Sequence, residues 1–278
     1  MRVLHVMWSL EFGGIERLVL DHCRVQRQLG IEPCVLVAQN QGRLAPLFEN
    51  EGIPVHTAAL RSGFDLRRER IARSMELMNE QDVAHFHCFT PAFARGAAKS
   101  GAGVVYTEHG NFGFGRRTTW RDRLKQIWKS RFISQSVDFL TFNSHFTRAC
   151  AAQRMEFPQQ VRVVHNGIDL ERAGVRSGEV LETLPNDLRE RFTVGTSSRF
   201  AGFKRVDRLI RAFAKMEGTN NSYLMLVGDG PLRSEYEQLV VSCRFPIEPC
   251  LQAFKRTSPT TRRSWTYACF RRKANRSA

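Results

Sequence analysis

Two stretches of this chain place small residues and fixed charge where a strand hands over to a helix. Thr196 to Phe213, TSSRFAGFKRVDRLIRAF, follows the apolar run Phe192–Gly195. Ser197, Ser198, Arg199 and Gly202 make the turn, and a helix is expected to begin near Lys204. Val206, Leu209, Ile210 and Phe213 recur at i, i+3, i+4 and i+7, one apolar stripe of an amphipathic helix. A helix N-terminus offers free backbone N–H groups and the positive end of a dipole. Arg199 and Lys204 add two cations at the same mouth, which suits a diphosphate. An ordinary strand–turn–helix with solvated basic residues has the same pattern. The second stretch is the strand Tyr223–Val227 running into Gly228-Asp229-Gly230-Pro231. A glycine pair there lets backbone approach a ligand, and Pro231 suits the first turn of a helix over 232–241. Two such strand ends, side by side, point to the crevice where parallel sheets bind ligands.

The elements that must carry these turns alternate. Arg2–Trp8, Pro33–Ala38, Ile53–Thr57, Asp82–His87 and Gly103–Thr107 read as buried strands. Helical stripes fall between them: one from Ile15 to about Gly30, a short one through Leu44 and Phe48, one over 65–79 and one over 92–100. Strand and helix in turn mean an α/β fold with a doubly wound parallel sheet. Val137–Phe142 and Val161–His165 extend the series, and Asn166-Gly167-Ile168-Asp169 closes it. The division expected is a Rossmann-like domain over 1–170, a connection over 171–191 and a partial second domain over 192–242. Residues 243–278 follow as a basic tail without native structure. His85 and His87 alternate along their strand and are read as facing opposite sides, structural or acceptor-side rather than metal ligands.

Composition narrows the partners. The net charge is +15 with 25% charged and 42% hydrophobic residues, a globular chain with an anionic partner. About half of the excess lies after Cys243, where Glu248 is the only acid among nine basic residues. The seven cysteines form no C-x-x-C pair, and those at 23, 34 and 88 are expected to pack as small hydrophobes. The N-terminus, broken by His5 and Glu11, fits a first strand better than a secretory signal, and no run of 18 apolar residues occurs. A cytoplasmic setting follows as the expectation. Residues 116–132 carry Arg116, Arg117, Arg121, Arg123, Lys125, Lys129 and Arg131, with Trp120, Leu124, Ile127 and Trp128 at helical spacing. Such a helix could rest peripherally on an anionic membrane, or it could turn its apolar side to a core and its charges to water.

Six motifs occur along the chain: G-G-I-E (Gly13–Glu16), H-F-H (His85–His87), T-E-H-G (Thr107–Gly110), N-G-I-D (Asn166–Asp169), S-S-R-x4-K (Ser197–Lys204) and G-D-G-P (Gly228–Pro231). In combination they resemble the GT-B glycosyltransferases of family 4. The resemblance runs from about Met1 to Val241. It implies two facing Rossmann-like domains and retaining transfer from a nucleotide-diphosphate sugar to a glycan, lipid or small-molecule acceptor. His109, Arg199 and Lys204 would be catalytic, with His109 beside the transferred sugar and the two cations on the diphosphate. Gly13, Gly14, Glu16, Ser198, Gly228, Asp229 and Gly230 would bind the donor. No cofactor and no metal are expected, since the cations stabilise the leaving group. After Val241 the family's paired glutamates have no counterpart, so the second domain is expected to be incomplete, as in a shifted or truncated reading frame. The alternatives are a non-catalytic remnant and a nucleic-acid-binding protein. The latter lacks zinc, helix-turn-helix or RNP-like patterns, so no specific nucleic acid is expected.

Overall fold

The structure is a computed structural model that describes residues 1–11, 13–110, 119–170, 192–216 and 222–243, with the backbone of 247–258 and 261–272. The chain divides into two compact units, Met1–Ala173 and Gly174–Ala278. No helix of the described residues is long and apolar enough to cross a membrane.

The first unit alternates β1 (Arg2–Met7), α1 (Gly14–Gln28), β2 (Glu32–Val37), α2 (Ala45–Asn50), β3 (Val55–Thr57), α3 (Arg68–Asn79) and β4 (Val83–Phe86). It continues with α4 (Pro91–Ala97), β5 (Gly103–Glu108), α5 (Trp120–Ser136), β6 (Phe139–Phe142), α6 (His145–Ala152) and β7 (Gln160–Val163). The seven strands form a sheet in the order β3-β2-β1-β4-β5-β6-β7, and every pairing is parallel. Strand order reverses between β1 and β4, so the crevice at their carboxyl ends is the switch point at which doubly wound sheets hold ligands.

The two faces of this sheet differ in chemistry. Leu4, Val6, Ala84, Phe86, Val104, Tyr106, Leu140 and Phe142 pack with Phe93, Phe132 and Ile133 into one apolar layer. On the opposite face Met7, Val35 and Val37 pack under α1 and α2 against Val19, Leu20, Cys23 and Phe48. That second layer stops at β1. Further across the same face stand His5, His85, Thr107 and Thr141, with His87 at the end of β4. Side chains two apart on a strand share a face, so the reading that His85 and His87 point to opposite sides is corrected: their ring centroids are 4.2 Å apart.

Helix limits follow local chemistry. Asp65 accepts from Arg61 N and pairs with Arg67, holding the chain out of helix until Arg68. Thr119 and Asp122 form a capping box, which starts α5 at Trp120. Phe132 and Ile133 on α5 are buried, whereas Trp120 (69% exposed) and Ile127 (62% exposed) face outward. The four apolar residues of the sequence pattern therefore do not share one packed side; Trp128 packs on the core. Residues 116–118 lie outside the described residues.

The second unit holds β8 (Thr193–Ser197), a 3-10 turn (Gly202–Lys204), α7 (Val206–Lys215), β9 (Tyr223–Val227) and α8 (Arg233–Ser242). β8 and β9 are parallel. Phe200, Val206, Ile210, Phe213, Leu224, Leu226, Tyr236 and Val240 make its core. The backbone then forms β10 (Ile247–Ser258) and β11 (Thr261–Arg272), paired antiparallel with each other, and β11 pairs antiparallel with β9. Sequence reading puts no strand after residue 243; the structure differs there. The Thr, Trp, Tyr, Cys and Phe residues between 261 and 270 have the strand preference that the count of basic residues hides.

Candidate functional site

The first cluster grows from the switch point. His5 and His85 are register partners on β1 and β4. His87 follows β4, held by its N–H to Val6 O at 2.9 Å, and His109 follows β5. His5 and His87 join through Nδ1 and Nε2 at 3.0 Å, and His87 and His109 join the same way at 3.0 Å. His5 Nε2 meets Gln26 Oε1 of α1 at 2.9 Å. His85 Nε2 bonds Thr107 Oγ1 at 2.7 Å, and Thr107 meets Thr141 at 2.6 Å. The outer ring nitrogen of the series, His109 Nδ1, is buried and has no hydrogen-bond partner among the described residues.

Burial sets the charge of these rings. Desolvation lowers His5 to about 4 and His109 to about 4, and pushes His85 and His87 well below the usual histidine range. At His109 the Glu108 carboxylate opposes burial, while His22 and Lys129 reinforce it. All four rings are therefore neutral at pH 7. Nitrogens of His5, His85 and His87 lie within 4.8 Å of one another, near enough to suggest a metal. Each already shares a proton with a neighbour, however, and a ring-to-ring hydrogen bond at 3.0 Å needs that proton.

Beneath His109, Glu108 is buried and pairs with Lys129 of α5. Gly110 takes φ +84, a left-handed turn directly after the imidazole, and its N–H donates to Glu108 Oε1 at 3.3 Å. Asn143 Nδ2 reaches His109 O at 3.4 Å. Gly13 caps α1 in extended conformation, Gly14 opens the helix and Glu16 is the acid of its first turn.

The second cluster is built by backbone. Ser198 N donates to Val227 O at 2.9 Å, Phe200 N to Asp229 O at 2.9 Å, and Leu232 N to Phe200 O at 3.1 Å. Gly228 has φ +150, and a Cβ there would fall 1.9 Å from Ser198 O; one at Gly230 would fall 2.4 Å from Phe200 O. The close approach these glycines permit is thus to the 198–200 backbone of the same unit. Asp229 Oδ1 accepts from Gly230 N at 2.8 Å. Arg199 and Lys204 are exposed, with Lys204 Nζ 5.5 Å from the Phe203 ring centroid. Arg205, left-handed at φ +53, turns the chain into α7 and pairs with Asp207 at 2.8 Å. Ser198 Oγ is buried and without a hydrogen-bond partner among the described residues.

His109 and the two cations thus belong to different units, each at the carboxyl end of parallel strands. Sequence reasoning missed His5 and Gln26 as neighbours of His87; the two-residue spacing of His85 and His87 was a signal for one shared face, whereas the pairing with His5 depends on strand register.

Solved glycosyltransferases of GT-B architecture share this fold. HepE of Anabaena in complex with UDP superposes with a TM-score of 0.70 at 19% identity, over 87% of this chain and 66% of that chain. A glycosyltransferase of Rickettsia africae gives 0.64 at 17%, over 87% and 65%. WaaG, a glycosyltransferase involved in lipopolysaccharide biosynthesis, gives 0.62 at 17%, over 87% and 67%. The chain spans 66% of the length of HepE. Sequence goes further than fold: residues 12–172 match Glycosyltransferase Family 4, and the chain belongs to that family. No match was found among curated proteins.

Proposed function

We propose that this chain transfers a sugar from a nucleotide-diphosphate sugar to a hydroxyl-bearing acceptor, with retention at the anomeric carbon. The observation that carries this reading is the turn between β8 and α7, where exposed Arg199 and Lys204 flank a backbone hydrogen-bonded to Val227, Asp229 and Leu232 at β9's end. Cleaving a glycosyl phosphate builds negative charge on the departing diphosphate, and fixed cations stabilise it most in the transition state. Ser198, Gly228, Asp229 and Gly230 line that turn, and Gly13, Gly14 and Glu16 supply a helix N-terminus as a further donor contact. His109 sits beside the sugar. The neighbours' complexes with UDP and UDP-glucose support this donor class. No metal is needed in this scheme, so chelation leaves the rate unchanged.

The test is transfer from saturating UDP-glucose to a hydroxyl acceptor. Arg199→Ala and Lys204→Ala should each lower the rate about 30- to 1,000-fold, the equivalent of roughly 2–4 kcal/mol. Rates within about threefold of the parent for both would place the phosphates elsewhere. A second reading, a chain that keeps the fold but not the transfer, draws on the antiparallel pairing of β11 with β9 where the first sheet is parallel throughout. UDP-glucose binding without turnover would favour it. Exposed Trp120 and Ile127 beside the basic residues of α5 support a peripheral, cytoplasmic-face contact with anionic lipid. Pelleting with anionic vesicles at low salt, lost at high salt, is the expected sign.

A further inference from the structure

A neutral imidazole carries one N–H and one lone pair, so fixing one ring nitrogen fixes the other. His5 Nε2 donates to Gln26 Oε1 at 2.9 Å, which leaves His5 Nδ1 as an acceptor. His87 Nε2 then donates to it at 3.0 Å, which makes His87 Nδ1 an acceptor in turn. His109 Nε2 donates to that atom at 3.0 Å, and the series ends on His109 Nδ1, a lone pair in a buried position with no partner among the described residues. Leaving such an acceptor unmatched costs about 1–3 kcal/mol, so its position invites a donor.

We infer that Gln26, His5 and His87 are a one-directional relay that holds His109 in its Nε2–H tautomer, so that Nδ1 accepts a hydrogen bond from a hydroxyl of the bound sugar. The identity of that hydroxyl donor rests on the sugar-transfer reading; the relay rests on the three distances alone. A phosphate or carbonyl oxygen at Nδ1 would meet lone pair with lone pair, so the relay selects a hydroxyl at this point and rejects an acceptor atom. The titratable groups that act on the relay are His22 of α1, His85 of β4, Glu108 of β5 and Lys129 of α5. The Glu108–Lys129 pair is the one that touches the segment bearing His109. Gln26, His5 and His87 are positioning residues: they act through His109.

Imidazole nitrogen NMR of the full chain at pH 7 reads the tautomer directly. His109 should be Nε2–H in the parent chain. Gln26→Leu, on the half-buried side of α1, removes the terminal acceptor and should cut the tautomer ratio about three- to tenfold. Gln26→Glu, an acceptor only, should keep or raise that ratio, a rescue that simple packing would not give. Saturating UDP-glucose should shift the Nδ1 resonance without changing the tautomer. An Nδ1–H tautomer in the parent chain, or an unchanged ratio in Gln26→Leu, overturns the relay. Bound UDP-glucose with an unmoved Nδ1 overturns the hydroxyl assignment. Failure of UDP-glucose to bind a chain whose tautomer is fixed counts against the sugar-transfer reading and leaves the relay standing.

Discussion

The two strand-end clusters reach polar function by opposite routes. In the first unit four imidazoles are taken out of water and lose their charge, and what remains is a directed set of lone pairs and N–H groups. In the second unit Arg199 and Lys204 stay exposed to water, and the order is supplied by backbone bonds between 198–200 and 227–232. All eight histidines lie in Met1–Ala173, and Gly174–Ala278 has none. Burial thus sets proton position in one unit, and in the other a backbone-ordered turn holds its cations toward solvent. Stability and chemistry should therefore be coupled in the first cluster and separable in the second.

The sharpest break of that comparison is at the Glu108–Lys129 pair. Glu108 is buried and Lys129 largely so, at 4% and 14% side-chain exposure, and removing one partner strands the other's charge. Lys129→Met should lower unfolding stability by about 3–5 kcal/mol in urea denaturation. Arg199→Ala, at an exposed site, should stay within about 0.5 kcal/mol of the parent in the same measurement. Comparable losses in both variants would mean that the second cluster is held together by its cations after all.

Acid gives the next largest effect. His5 has its proton affinity depressed from 6.5 to about 4, chiefly by burial. The unfolded chain therefore takes up a proton near pH 6.5 that the folded chain refuses until about pH 4. Stability from this group is complete above pH 6.5 and falls as pH drops through that window. His5 alone should account for a loss of about 3 kcal/mol by pH 4, with the shifts at His85, His87 and His109 acting in the same direction. Hydrogen exchange resolved by residue should show the first unit loosening between pH 6.5 and 4. The second unit, without histidine, should not lose protection in step with it. Parallel loosening of both would undo the contrast.

Much of this architecture was legible in the sequence, and the failures have physical causes. Apolar runs of strand length gave β1, β2, β5 and β9 to within a residue or two, because strands covered on both faces leave no alternative composition. The Ser198–Lys204 turn and the Gly228–Gly230 end were found from residue type, but not the reason for the glycines. Two segments 30 residues apart in sequence zip together, and only the fold brings Gly228 and Gly230 against the 198–200 backbone. The histidine series fails on parity: reading His85 and His87 onto opposite faces overlooks that a period of two puts them on one. Gln26 was invisible because it sits on a helix, one polar residue among many. On α5 the apolar spacing suggests a single side, while Phe132 and Ile133, not Trp120 and Ile127, are what the core takes.

The smallest expected effect joins the two clusters, because each contains one buried polar atom without a partner among the described residues: His109 Nδ1 and Ser198 Oγ. If polar order in the second unit comes from backbone alone, the Ser198 hydroxyl contributes nothing to the fold. Its main-chain N–H to Val227 O survives any side chain at this position. Ser198→Ala removes one oxygen and the desolvation cost of an unmatched hydroxyl, which is about 1–3 kcal/mol when nothing offsets it. A hydroxyl can turn its proton to whatever acceptor comes near, so only part of that cost is recovered. Stability in urea should therefore hold or rise by up to about 1 kcal/mol. Affinity for UDP-glucose, measured by calorimetry, should fall about three- to tenfold if the hydroxyl serves the diphosphate, the worth of one hydrogen bond. A loss of stability with affinity unchanged would assign Ser198 to the fold and erase the separation of structure from chemistry claimed for the second unit.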